Sequence, residues 1–217
     1  MTTTNLIDMA SGFHWFKENK IQITPGEVKA AGTLAQSELC SLLEICEART
    51  TLALVAGTEE YTLPEQVINI KGERILFVSG ETKRPIKKRT IQEVDYNRGQ
   101  FASGNVQFFY TRQETSMVIG FQGIPDVAAS IQYTYYRRPI AADALTDSVN
   151  PIISADYDMI LYWFTIKQLV EIYKDQPNGE RKLEFVKRTC DEKRIEAMMM
   201  KMKKGFTAEM QYEGIRF

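Results

Sequence analysis

Ala56-Gly57-Thr58-Glu59-Glu60-Tyr61-Thr62-Leu63-Pro64 divides the chain into two kinds of sequence. A glycine turn leads into an alternating Glu-Tyr-Thr-Leu step, and Pro64 stops it. That combination reads as a short strand entered from a turn. Before it, apolar residues recur at helical spacing. After it, strand-like runs continue to Arg137, and helical spacing resumes to near Lys204. The expected class is α+β: a helical bundle (helices near 25–48, 154–174 and 180–204) with an antiparallel β-rich insertion near 51–137. The corresponding domains are residues 1–50 with 140–205, residues 51–139, and an extended C-terminal arm at 206–217.

The first long helix has a clear start. Thr24 stands at the cap, Pro25 sits where its missing N–H costs nothing, and Glu27 follows three after the cap. Val28, Ala31, Ala35, Leu39, Leu42 and Cys46 then form one apolar stripe. Upstream, Leu6 to Phe16 suggests a short helix interrupted at Ser11-Gly12. Downstream, Ser154 is placed to cap a helix that is apolar nearly all round from Tyr157 to Tyr173, which must be covered on most sides. Asp175-Gln176-Pro177-Asn178-Gly179 ends it, and so short a connection makes the next helix an antiparallel neighbour. That last helix carries Leu183, Val186, Cys190, Ala197 and Met198 as its packed stripe, with Gly205 placed as its C-terminal cap.

Between the helices, strands are expected near 51–55, 59–63, 66–70, 73–78, 84–88, 106–111, 117–121 and 131–137. Gly57, Gly72, Ser79-Gly80, Ser103-Gly104-Asn105 and Gly123-Ile124-Pro125-Asp126 separate them. Turns this short imply antiparallel pairing, since a parallel crossover needs about a dozen residues or more. Thr90 to Val94 reads as one helical turn within the sheet region, and Pro139 to Pro151 as a linker without period.

Composition excludes several classes. The 217 residues are 44% apolar and carry a net charge of −1, so there is a core and no global field for nucleic acid or membrane. No apolar run approaches the roughly 18 residues that span a bilayer. The N-terminus lacks a secretory pattern, which implies a soluble protein made in a cytoplasm. Cys40, Cys46 and Cys190 are odd in number and widely spaced, which fits reduced core thiols rather than a disulfide framework. The single histidine, His14, lacks the partners that ligation or acid–base work requires and reads as a packing or surface residue. Neither a phosphate-binding glycine loop nor a nucleophile elbow occurs. No catalytic, metal or cofactor residue is therefore nominated. Carboxylates are plentiful, but nothing marks one pair above the rest.

Two basic clusters remain. Lys83-Arg84-Pro85-Ile86-Lys87-Lys88-Arg89 holds five cations in seven residues, and residues 181–204 hold nine Lys or Arg against four Asp or Glu. Each reads either as a contact for nucleic acid or an acidic partner, or as a solvated strand edge and helix face. Met198-Met199-Met200 reads either as helix packing or as an adaptable contact surface. The last thirteen residues, with Phe206, Tyr212 and Phe217, are too apolar for a solvated tail. They either fold back on their own domain or dock on another protein.

At this point the chain resembles the head–tail adaptor (connector) proteins of tailed bacteriophages, including tubular tail adaptors. Ala56 to Pro64 looks like that family's "AGT-x-x-Y-x-LP" entry into its sheet. Tyr135-Tyr136-Arg137-Arg138-Pro139 looks like its closing strand and proline. The Thr90–Asp95 turn, the aromatic strand at Phe108–Thr111, Met117–Phe121 with Pro125, and the helix pair follow in order. The resemblance covers about residues 25–205. It implies a structural virion protein at the head–tail junction, assembled in the bacterial host cytoplasm. It further implies no catalysis, no cofactor and no membrane, and a ring, dodecameric in such adaptors, that joins the portal protein to the adjacent tail protein. Packaged DNA would pass through the channel without sequence recognition. Phe206, Met210, Tyr212, Ile215, Arg216 and Phe217 would be the portal-docking arm. Lys83, Arg84, Lys87, Lys88, Arg89, Lys201, Lys203 and Lys204 would be subunit or channel contacts. The alternatives from the residues themselves are a nucleic-acid-binding protein using 83–89 and 181–204, or a carboxylate-based hydrolase.

Overall fold

The computed structural model describes residues 1–72, 74–96, 106–125 and 128–213. The protein is mixed α+β and divides into two units. One contains residues 1–45 and those from 139 onward, and the other residues 46–138.

In the helical unit, α1 (Thr3–Ser11) and α2 (His14–Glu18) flank the break at Gly12, and their Leu6, Trp15 and Phe16 are buried. α3 (Pro25–Leu43) starts with the expected capping box: Thr24 and Glu27 satisfy each other's backbone N–H groups. It ends earlier than the sequence spacing suggests. Glu44 turns left-handed (φ 49°), so Cys46 lies outside the helix, and Leu42 is exposed while Cys40 and Leu43 take its place in the buried stripe. Cys40 and Cys46 are both disulfide-bonded, which corrects their reading as reduced thiols; Cys190 is free and buried.

α5 (Asp158–Ile172) follows a single 3-10 turn at Ala155–Tyr157. Ser154 does not cap it: the hydroxyl bonds to Asp156 at 3.2 Å, and the main helix starts four residues beyond Ser154. α5 packs against α3 and against α6 (Gly179–Glu213). Tyr173 at its C-terminal end donates to Glu27 at the N-terminal end of α3 (2.6 Å), so α3 and α5 run antiparallel. The linker 139–151 is pinned rather than loose. Gln36, buried in α3, donates to the Asp143 carbonyl and accepts from the Ile152 N–H. Gly32 leaves room for Leu145 and Leu6, which lie 2.7 and 3.0 Å from where a Cβ would be. α6 buries Leu183, Val186, Cys190 and Ala197 as expected, whereas Met198 is exposed. The helix does not stop at Gly205: it runs on to Glu213, so the segment expected to be extended is helical to that residue. A glycine has no obligation to end a helix; its cost there is only about 1 kcal/mol relative to alanine.

The second unit is one eight-stranded sheet with the order β1-β8-β4-β5-β6-β7-β2, and β3 paired to β8. The strands are β1 (Glu47–Leu54), β2 (Glu60–Thr62), β3 (Val67–Ile70), β4 (Arg74–Ser79), β5 (Thr82–Lys88), β6 (Phe108–Gln113), β7 (Met117–Gln122) and β8 (Ala129–Arg137). Together β3 and β4 follow β8 antiparallel along most of its length, with Gly72 (φ 79°) between them. The expectation of a wholly antiparallel sheet fails at one pair. β5 and β6 run parallel at Lys87↔Phe108 and Lys88↔Phe109. Residues 89–107, with α4 (Ile91–Tyr96) among them, are long enough for that crossover. α4 starts with its own capping box, Thr90 with Glu93. The turn assigned to Ser103-Gly104-Asn105, and Asp126 of the later turn, lie outside the described residues.

The sheet core gathers Leu54, Leu63, Ile75, Phe77, Ile86, Phe109, Ile119, Phe121, Ile131 and Tyr133. Gly120 in β7 is required by packing: the Tyr110 ring sits 2.2 Å from where a Cβ would be. That tyrosine donates to Glu60 in β2 at 2.7 Å.

Candidate assembly surfaces

The stretch that marks the boundary in sequence works as a clasp in the fold. β1 and β2 are the two ends of the sheet order. The Tyr61 hydroxyl accepts from the Val55 N–H (2.7 Å) and is 3.1 Å from the Val55 carbonyl. Gly57 (φ 81°) allows the reversal and donates its N–H to the Pro125 carbonyl at 2.8 Å. Leu63 enters the core, and Pro64 begins the turn to β3. Tyr135 of the second bracket is buried against Tyr133, and Arg137 donates its backbone N–H to the Cys46 carbonyl. The first bracket thus holds the two ends of the sheet order together, and the second joins β8 to β1 and β3.

The acids beside this clasp do not form a free pair. Glu60 accepts from Tyr110 and from Arg112, and Arg112 also reaches Glu114 at 3.0 Å. Among the described residues there is no group of three His, Cys, Asp or Glu placed to hold a metal ion. His14 is exposed and pairs with Glu18. Burial pushes the Cys190 thiol up to about 12, which leaves it a poor nucleophile. No helix among the described residues is long and apolar enough to cross a membrane.

The first basic cluster separates along β5. Lys83 and Lys87 are exposed. Arg84 donates to the Val106 carbonyl and lies over the Phe77 ring, while Arg89 stacks on Phe108 at 3.5 Å. Lys88 is half-buried. Two of the five cations are therefore tied into the fold.

The second cluster is largely engaged within its own unit. Lys182 lies over Phe13 and Phe185, Lys187 reaches Glu171, and Lys193 pairs with Glu196 at 2.8 Å. Lys201 donates to the Leu43 carbonyl at 2.8 Å and faces Glu44 at 3.6 Å, placing a cation at the C-terminal end of α3. The side chains of Lys203, Lys204, Phe206, Met210 and Tyr212 lie outside the described residues, as do Ile215, Arg216 and Phe217 altogether.

What α6 does expose is apolar. Ile195, Met198, Met199 and Met202 follow at i, i+3, i+4 and i+7, which is one face of a helix, and Met202 is 71% exposed. With Ser41, Leu42, Leu43, Glu44 and Lys201, Met198 and Met202 line a groove of about 450 Å³. The methionine run signalled this surface in sequence. Leu42, which the α3 stripe assigned to the core, did not.

Comparison with curated proteins gave no match. Against protein families, residues 19–194 match the model for the SU10 adaptor protein. That span contains both brackets, the whole sheet, α3, α5 and the first part of α6, and leaves out α1 and α2. The chain belongs to the SU10 adaptor protein family and is a structural adaptor of a tailed phage.

Proposed function

We propose that this adaptor forms a ring, dodecameric by its resemblance to other connectors, around the DNA channel between the portal protein and the next tail protein. The family match over residues 19–194 carries this reading. The exposed Ile195–Met202 face, continuous with the Leu42 groove, supports it as one of the two different sticky faces that a head-to-tail ring needs on every subunit. The portal-docking segment is Phe206, Met210, Tyr212, Ile215, Arg216 and Phe217, and it starts on the continuous helix α6 rather than on an extended arm. Lys83 and Lys87, with Lys203 and Lys204, are the cations assigned to the channel or the neighbouring subunit. Arg84, Arg89 and Lys201 instead have partners within their own unit. The role is mechanical, and the virion junction is its site of action.

Electron microscopy of the protein mixed with its portal tests this. A ring at the narrow end of the portal is the expected result. A chain that stays dispersed and leaves the portal bare overturns the reading.

A further inference from the structure

β1 is an edge strand, and the register of its one ladder says which backbone groups it leaves outward. Arg137 donates its N–H to the Cys46 carbonyl, so the hydrogen-bonded pairs with β8 are those of the even residues 46, 48, 50, 52 and 54. The N–H and C=O groups of Glu47, Arg49, Thr51 and Ala53 therefore point away from the sheet, and all four residues are exposed. β1 has no proline and no bulge in its pairing with β8, two devices that commonly protect an edge. The next outward residue is Val55, and there the Tyr61 hydroxyl already holds both backbone groups.

From this edge we infer that two copies of the free protein pair β1 to β1, antiparallel, about a two-fold axis at Thr50. In that register Glu47 lies opposite Ala53 of the second copy, and Arg49 opposite Thr51. All four outward residues of each strand are then hydrogen-bonded. On the other face, the half-buried Ala48 and Leu52 meet each other across the seam and Thr50 meets Thr50. Threonine–threonine and apolar cross-strand pairs favour such a contact. The two neighbouring registers are closed. Shifting one way puts Arg49 directly opposite Arg49, a like-charge pair. Shifting the other way requires the outward groups of Val55, which Tyr61 occupies.

A two-fold contact uses the same patch on both subunits and cannot propagate around a head-to-tail ring. The pair is thus a form of the free protein that opens before ring entry. It stands independently of portal binding.

Sedimentation of the purified full chain over a wide concentration range tests the pairing. The wild type should show a concentration-dependent dimer. Thr51→Lys, which sets a lysine against Arg49 twice, should weaken it about tenfold, and Thr51→Glu should tighten it by a similar factor. Thr50→Cys should give a disulfide-linked dimer on oxidation, since cross-strand pairs that are not hydrogen-bonded bring Cα atoms to about 4.5 Å. Thr51 is an exposed outer-face residue, so both charge variants should keep the wild-type circular dichroism. A wild type that stays monomeric throughout overturns the inference. So does a dimer indifferent to the sign of the charge at residue 51, or a Thr50→Cys variant that does not cross-link on oxidation.

Discussion

At the scale of single residues, two tyrosines do work that their neighbours cannot replace. Tyr61 keeps the ends of the sheet order together through one hydroxyl, and its ring packs edge-on against Phe121. Tyr61→Phe keeps the ring and removes the hydroxyl, so it should cost about 0.5–1.5 kcal/mol by urea denaturation. An unchanged midpoint would show that water replaces the hydroxyl without loss. Tyr173 ties α5 to α3 by donating to Glu27, and that bond, followed by the contacts from Thr24, holds the Glu27 carboxyl below the usual carboxylate range. A carboxylate depressed in the folded state stabilises above its unfolded value and loses that contribution as pH falls through the folded one. The same bond, with burial and the Glu27 charge, raises the Tyr173 phenol, whose contribution is complete below its ordinary value and lost as pH climbs past the raised one. Glu27→Gln should therefore flatten the acid side of the stability–pH curve, measured by thermal melts between neutral and acidic pH. A curve parallel to the wild type would assign the acid sensitivity to other groups.

At the scale of elements, what could be read from sequence was whatever is encoded locally. Thr24-Pro25-Gly26-Glu27 carries its cap within four residues, and α3 starts there. Eight strand-like runs correspond to eight strands, because turn glycines such as Gly57, Gly72 and Gly80 take positive φ without the steric cost other residues meet. Elements decided by distant partners were misread. Helical spacing carries Cys46 in the α3 stripe, yet the chain turns left-handed at Glu44. There Lys201, from far along the chain, reaches the end of the helix. The parallel β5–β6 pair was hidden for the same reason: nothing in either strand announces the direction of its neighbour. The surfaces on α6 were only partly legible, since a methionine at core spacing reads the same whether or not a partner covers it. Lys201 offers a test at this scale. If its role is to complete the end of α3, Lys201→Ala should destabilise the isolated chain by about 0.5–1 kcal/mol in denaturant. If it serves a neighbour instead, stability should be unchanged and ring formation impaired.

At the scale of the whole chain, the length of α6 is the feature the other helices do not explain. At 1.5 Å per residue its 35 residues extend about 52 Å, whereas the 15 residues of α5 extend about 22 Å. Among its described side chains Ala197 is the last that is buried, and Met198, Met199 and Met202 after it are exposed. The docking proposal requires that residues 207–217 add no packing to their own unit, and a helical end of that kind is marginal in water. Removing Thr207–Phe217 should leave the melting temperature of the free chain within about 1 °C of wild type, because a change that small corresponds to a fraction of a kcal/mol in a domain of this size. The same truncation should abolish capture by the portal in a pull-down or in micrographs of the mixture. A melting temperature lowered by several degrees would mean that the segment is tied down on its own domain. Portal binding that survives the truncation would remove the docking role from Phe206 to Phe217 and move it to the exposed Ile195–Met202 face.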